Sequence, residues 1–275
     1  MRIRSLFISV SLVLASFAFS AILEAQSPAS LARGPGSLAL AGGRGPMDIA
    51  RSAARKITET NPQITFRISD SGGNEALDQL SAGLVQIAGL SRPLEEAEIS
   101  EEGLVGVPVA REGVVVVVNM GNPVSGITQS QLQGVLSGRI ANWRELGGRN
   151  RPIRLYVLPP GSSARQIIEE TVLEETPISP SARVMGASPN IKDALGEDPD
   201  GLGFINLSNF DILVKGLAYE GVVPSLDNSA YRLNRSLYLV TKGPARGLAG
   251  DFIGFIRSPE GETPIREAGF SPGGR

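Results

Sequence analysis

"LYVLPPGSSARQIIEE" (155–170) holds the fold in miniature. An apolar run that reads as a strand stops at Pro159 and Pro160. Gly161, Ser162 and Ser163 follow at once, and then a pattern that reads as a helix. A strand that turns directly into a helix is the building unit of α/β proteins. The first turn of such a helix has backbone N–H groups without internal partners, and the helix dipole makes that end positive. Glycine lets a ligand approach the backbone, and serine hydroxyls add donors, so a turn of this composition suits an anion. The same residues also suit a purely structural turn, because serine is a preferred helix cap. For one loop alone both readings stand.

Working outward, the unit repeats. "SLALAG" (37–42) reads as a short buried strand, "GRGPMD" (43–48) as a turn, and 49–60 as a helix with Met47, Ala50, Ala54 and Ile57 on one face. "QITFRIS" (63–69) alternates as a strand, "NEALDQLSAG" (74–83) reads as a helix, and "VQIAGLS" (85–91) as a third strand. "EGVVVVVNM" (112–120) contains five consecutive valines and reads as a strand buried on both faces. A helix opened by Thr128 follows. A second set comes next: strand 153–158, helix 163–174, strand 182–187, helix 189–196 and strand 202–207. "SLYLVTKG" (236–243) reads as another apolar strand, and 245–258 as an amphipathic helix.

Two α/β sets separated by long apolar strands suggest two lobes, each a mixed, mostly parallel sheet flanked by helices. Strands near 113–119 and 236–241 form the crossings, with a hinged cleft between the lobes. The expected division is 37–112 with 236–275 as lobe 1, and 113–235 as lobe 2.

Two further turns share the composition of 159–163. They are "AGGRGPMD" (41–48) and "SDSGGNEA" (69–76). Helices that start at the C-terminal ends of parallel strands all point the same way, so these turns can converge. A fourth element, "GLSRPL" (89–94), sets Ser91 directly after a buried strand and Arg92 beside it. An arginine before proline is equally a surface-turn residue.

Composition limits the chemistry. The 275-residue chain is 41% hydrophobic and 20% charged, as globular proteins are. It has no histidine and no cysteine. Histidine-based triads, bases and metal sites are excluded, as are cysteine nucleophiles, disulfides and a lipidated N-terminal cysteine. No spacing supports paired catalytic carboxylates or a Ser–Lys arrangement. The expectation is therefore a protein without enzymatic activity, cofactor or metal. No dinucleotide or P-loop motif survives inspection: Gly34, Gly36 and Ala39 satisfy a loose G-x-G-x-x-A that precedes a strand rather than following one.

Arg2 and Arg4 followed by an uncharged apolar run at 6–19, with small residues at Ala18 and Ser20, read as a cleaved export signal over 1–20. The competing reading is a membrane anchor, and the run is short of the roughly 20 residues that a span needs. Residues 21–36 read as a disordered mature N-terminus. The formal charge of −2 becomes −4 without Arg2 and Arg4. Such a chain has no bulk attraction for nucleic acid or anionic membrane, so an anion must be bound locally.

The order of motifs resembles the periplasmic phosphate-binding proteins of Pst-type ABC transporters, within the type II periplasmic binding protein fold. The resemblance is carried by "DSGGNEALDQLSAGLVQIAGLSRPL" (70–94), "VVVVVNMGNPVSGITQSQLQGVLSGRIANWRELGG" (114–148), "PGSSARQIIEETVL" (160–173), "GLGFINLS" (201–208) and "SPEGETPIREAGFSP" (258–272). It implies a monomeric, two-lobed, exported protein, periplasmic or secreted, that closes on inorganic phosphate or a related oxyanion. It also implies service to an ABC-transporter permease or phosphate sensing. Such a family holds phosphate through helix-start N–H groups, hydroxyls, one arginine and one acidic residue. By that analogy Ser71 and Gly72, Ser91, and Ser162 with Ser163 are ligand residues.

The departures are equally specific. The first loop reads Gly43-Arg44-Gly45 where a hydroxyl is usual. Leu158 stands where an arginine is expected, Pro160 where Asp or Asn is, and Ala164 where Thr is. Arg44 or Arg165 would have to supply the missing cation, and Asp70 or Asp48 the missing acceptor. The alternative is a module of the same fold that has lost phosphate binding.

Overall fold

The structure is a computed structural model, described over residues 35–273. The export signal, most of the 21–36 segment and Gly34 lie outside the described residues.

The chain runs β1 (Gly36–Gly42), α1 (Arg44–Thr60), β2 (Ile64–Asp70), α2 (Gly73–Ser81), β3 (Ile87–Leu90), α3 (Glu96–Ser100) and β4 (Leu104–Val118). It continues with β5 (Gly126–Ile127), α4 (Gln129–Leu136), β6 (Arg154–Val157), α5 (Ser163–Ile168), β7 (Arg183–Val184), α6 (Ser188–Glu197), β8 (Gly201–Asn206), β9 (Lys215–Gly216) and β10 (Ala218–Tyr219). The end is β11 (Asn234–Lys242), α7 (Gly247–Ile256), α8 (Glu262–Glu267) and β12 (Ser271–Pro272).

The main sheet has the order β2-β1-β3-β11-β4-β8-β6-β7. Pairing is parallel within β2-β1-β3 and within β8-β6-β7, and antiparallel through β11 and β4 in the middle. β4 is the pivot. Its first part, to Gly113, pairs with β11, and Val114–Val118 pairs with β8. It starts well before the valine run because 104–111 also finds partners, β11 and β12. Pro108 is tolerated in this interior strand because the register with β11 slips there, opposite Leu237/Tyr238, and a bulge needs no N–H from the ladder.

Side-chain alternation explains the layers. In β1, Leu38 and Leu40 join one apolar cluster with Met47, Ile49 and Phe252, while Ala39 and Ala41 join another with Ala76, Leu77 and Leu80. The first part of the sheet is thus covered on both faces. The five consecutive valines of β4, Val114–Val118, are fully buried in a separate cluster with Trp143, Val157, Ile167 and Phe204. The expected burial of that strand on both faces holds.

Several boundaries differ from the sequence reading. α1 begins at Arg44, so 44–48 is helix rather than turn. Pro46 lies in the first turn, where its missing N–H has no bond to lose. Helix 163–174 is α5 followed by a wider π-type turn at Glu169–Leu173. Strand 182–187 shrinks to β7, an exposed two-residue edge. Trp143 is a packing anchor: it is buried, and its Nε1 donates to the Asp200 carbonyl at 2.9 Å.

Candidate functional site

Register brings the first three turns together. Gly42 stands opposite Asp70 of β2 and Gly89 of β3 in two parallel ladders, so β1, β2 and β3 end nearly in step. The residues after them, Gly43 and Arg44, Ser71 and Gly72, and Ser91, form one edge. The strand ends can pack this closely because there is no side chain at 42. A Cβ there would lie 2.6 Å from the Gly89 carbonyl oxygen. A Cβ at Gly43 would lie 3.7 Å from Ser91 Oγ, so that hydroxyl faces the start of α1.

The opposing turn leaves β6 at Leu158 and enters α5. Gly161 takes φ +79°, a conformation that favours glycine. Arg44 joins the two edges: its Nη1 donates to the Gly161 carbonyl at 3.1 Å, across 117 residues of sequence.

Each residue singled out in the sequence has a definite partner or exposure. The Gly43 N–H donates to the Gly89 carbonyl at 3.1 Å and the Ser71 N–H to the Gly42 carbonyl at 3.1 Å, so these two amides tie the loops together. Ser71 Oγ has only a 3.5 Å contact to the Gly72 carbonyl, and Gly72 is exposed with φ +78° at the start of α2. Ser162 Oγ turns back to the Pro159 carbonyl at 2.8 Å and does not cap α5. Ser163 Oγ donates to Glu112 Oε2. Arg165 is held by Glu169 at 2.7 Å and by the Leu158 carbonyl at 3.0 Å.

The two proposed acceptors face a cation. Asp70 and Asp48 both accept from Arg51, at 2.7 and 2.8 Å, and the hydrogen bond it donates to Asp70 raises the Arg51 pKa. Arg92 grips Glu98 through both Nη atoms at 2.9 and 2.7 Å. That hydrogen bond holds the Glu98 carboxyl below its ordinary range. Arg92 is therefore a clamp on α3.

Sequence reasoning missed one group. Glu112, last in lobe 1 by the expected division, is only 5% exposed. It accepts from Ser163 and, at 2.5 Å, from Arg235 Nε, and Arg235 also reaches Glu170 at 2.6 Å. Glu169 and Glu170 are thus both ion-paired. A charged residue two positions before a valine-only run was the available signal for Glu112.

A family model described as a PBP superfamily domain matches residues 27–260. The chain belongs to the PBP superfamily. Among superfamily relatives, the phosphate-binding protein PstS of Bacillus subtilis (strain 168) is 30% identical over 244 residues, covering 86% of this chain and 81% of that protein. An ABC-type phosphate transport receptor from Vibrio cholerae superposes with a TM-score of 0.73 at 27% identity, covering 86% of this chain and 99% of that one. A putative phosphate ABC transporter substrate-binding protein from Clostridium perfringens, solved with bound phosphate, gives 0.60 at 25% identity, covering 86% and 100%. The fold is that of type II periplasmic binding proteins, as the motif order implies.

No helix among the described residues is long and apolar enough to cross a membrane.

Proposed function

We propose that this protein is an exported solute-binding protein that takes up phosphate, or a related tetrahedral oxyanion, between its two lobes. In this reading it delivers the ligand to an ABC-transporter permease or reports its level, and performs no chemistry on it. The observation that carries the reading is the convergence of the Gly43–Arg44, Ser71–Gly72 and Ser91 edge on the 161–163 turn, bridged by Arg44. The names of the relatives from Bacillus subtilis and Vibrio cholerae support phosphate as the ligand class.

The proposed shell is Arg44 as cation, the Ser71 and Ser91 hydroxyls, the Ser162 hydroxyl once its proton turns from the Pro159 carbonyl to the ligand, and the free N–H groups at the starts of α1 and α2. Arg44 is the better placed cation, because Arg165 is already bound to Glu169 and Leu158. The lobes are 37–112 with 236–275, and 113–235, and the change of partner along β4 at Gly113/Val114 supports a pivot there. The test is calorimetric titration of the Ser71→Ala/Ser162→Ala double variant. Loss of at least tenfold in phosphate affinity is expected, and unchanged affinity overturns this shell.

A second reading has its own observation. Ser162, Ser163 and Arg165 all spend their donors inside the protein, in a turn that already departs at Leu158, Pro160 and Ala164. A superfamily member that has lost the ligand would look the same. It predicts no thermal stabilisation by any tetrahedral oxyanion.

A further inference from the structure

We infer that Glu112 is an internal competitor for the anion, a carboxylate that occupies the donor Ser163 and lowers the affinity of the site. The inference rests on the phosphate reading above and concerns the same turn.

Glu112 and Arg235 are paired residues on β4 and β11, the two strands that run through the middle of the sheet. Both side chains are shielded, at 4% and 17% exposure. One carboxylate oxygen takes Arg235 Nε and the other takes the Ser163 hydroxyl proton. A serine hydroxyl has a single proton to give. While Glu112 holds it, Ser163 presents only lone pairs to an incoming oxyanion, which is repulsive.

Charge points the same way. Arg235 is shared between two carboxylates, Glu112 and Glu170, so this cluster carries one net negative charge. Arg165 and Glu169 cancel beside it, which leaves Arg44 as the cation at the turn not bound to a carboxylate. Of the two carboxylates that share Arg235, Glu112 is shielded and Glu170 is 64% exposed, so the charge of Glu112 is the less screened. It opposes an anion more than a surface carboxylate would.

The test is calorimetric titration with inorganic phosphate of anion-stripped wild-type protein, Glu112→Gln, Glu112→Asp, Glu170→Gln and Glu112→Gln/Ser163→Ala, with melting temperatures to confirm folding. Glu112→Gln should bind at least tenfold more tightly than wild type. The double variant should lose most of that gain, because the gain runs through Ser163. Glu170→Gln removes an equal charge but leaves Ser163 captive, so it should change affinity less than threefold. Should Glu112→Gln not fold, Glu112→Asp decides: too short to span both partners, it should bind at least threefold more tightly. Equal or weaker binding by the folded Glu112 variants, with wild type binding normally, overturns the competitor and leaves the phosphate reading intact. Silence of wild type and all variants overturns both. Silence of wild type with binding by Glu112→Gln supports the competitor directly.

Discussion

Arg44, the first residue of α1, donates its Nη1 proton to the carbonyl oxygen of Gly161 at 3.1 Å. The two residues belong to the opposing turns of the proposed cleft, and the bond spans it. It places a guanidinium beside the turn that enters α5.

Arg44→Ala should therefore separate binding from stability. The side chain is exposed, so the folding free energy should move by less than about 1 kcal/mol. Phosphate affinity should fall at least tenfold, as expected when one charge-assisted hydrogen bond of about 1.5–3 kcal/mol is lost. Denaturant unfolding and calorimetry check the two halves separately. An unchanged affinity would remove Arg44 from the shell.

Gly42→Ala should do the reverse. Its Cβ would meet the Gly89 backbone at 2.6–2.7 Å, and backbone cannot rotate away. The expected cost is about 1–3 kcal/mol of stability, the usual range for overpacking. The ends of β1 and β3 must also separate, which moves Gly43 and Ser91 apart. Affinity should fall even under conditions where the variant is fully folded.

Acid stability should depend on Asp198. It is 8% exposed and accepts from Arg154 Nε at 2.6 Å and from the Tyr156 hydroxyl at 2.8 Å. The hydrogen bond to Arg154 holds its carboxyl below the ordinary range, with Tyr156 adding to the effect. The folded pKa is thus lower than the unfolded value of about 3.9. The stabilisation is present above that value and is lost as pH falls through the folded one. Asp198→Asn should lower the melting temperature at pH 7 and flatten its decline below about pH 4. An equally steep decline in the variant would assign the acid sensitivity elsewhere.

The elements most legible in the sequence are those whose local pattern and burial agree. The valine run is fully buried because nothing in it is polar. The helix face Met47, Ala50, Ala54 and Ile57 lies in the core as its spacing requires. The turns after β1, β2 and β3 converge because those strands are parallel and in step, which strand-turn-helix repetition anticipates. Partnership was not legible. The pairing of Asp70 and Asp48 with Arg51, of Arg92 with Glu98, and of Ser163 with Glu112 depends on which side chains meet in space. Glu112 and Arg235 lie 123 residues apart and touch only because β4 and β11 pair antiparallel. The early start of α1 was hidden by Pro46, whose usual meaning as a break is suspended in a first helical turn.

The most direct measurement is titration of wild-type protein, unfolded, stripped of anions and refolded, with inorganic phosphate in a calorimeter. The proposed function predicts saturable one-to-one binding. Ligand at 100 times the dissociation constant should then add about 2.7 kcal/mol to the folding stability. No heat with phosphate, sulfate or molybdate, together with an unmoved melting temperature, would contradict it and favour a member of the fold that has lost its ligand.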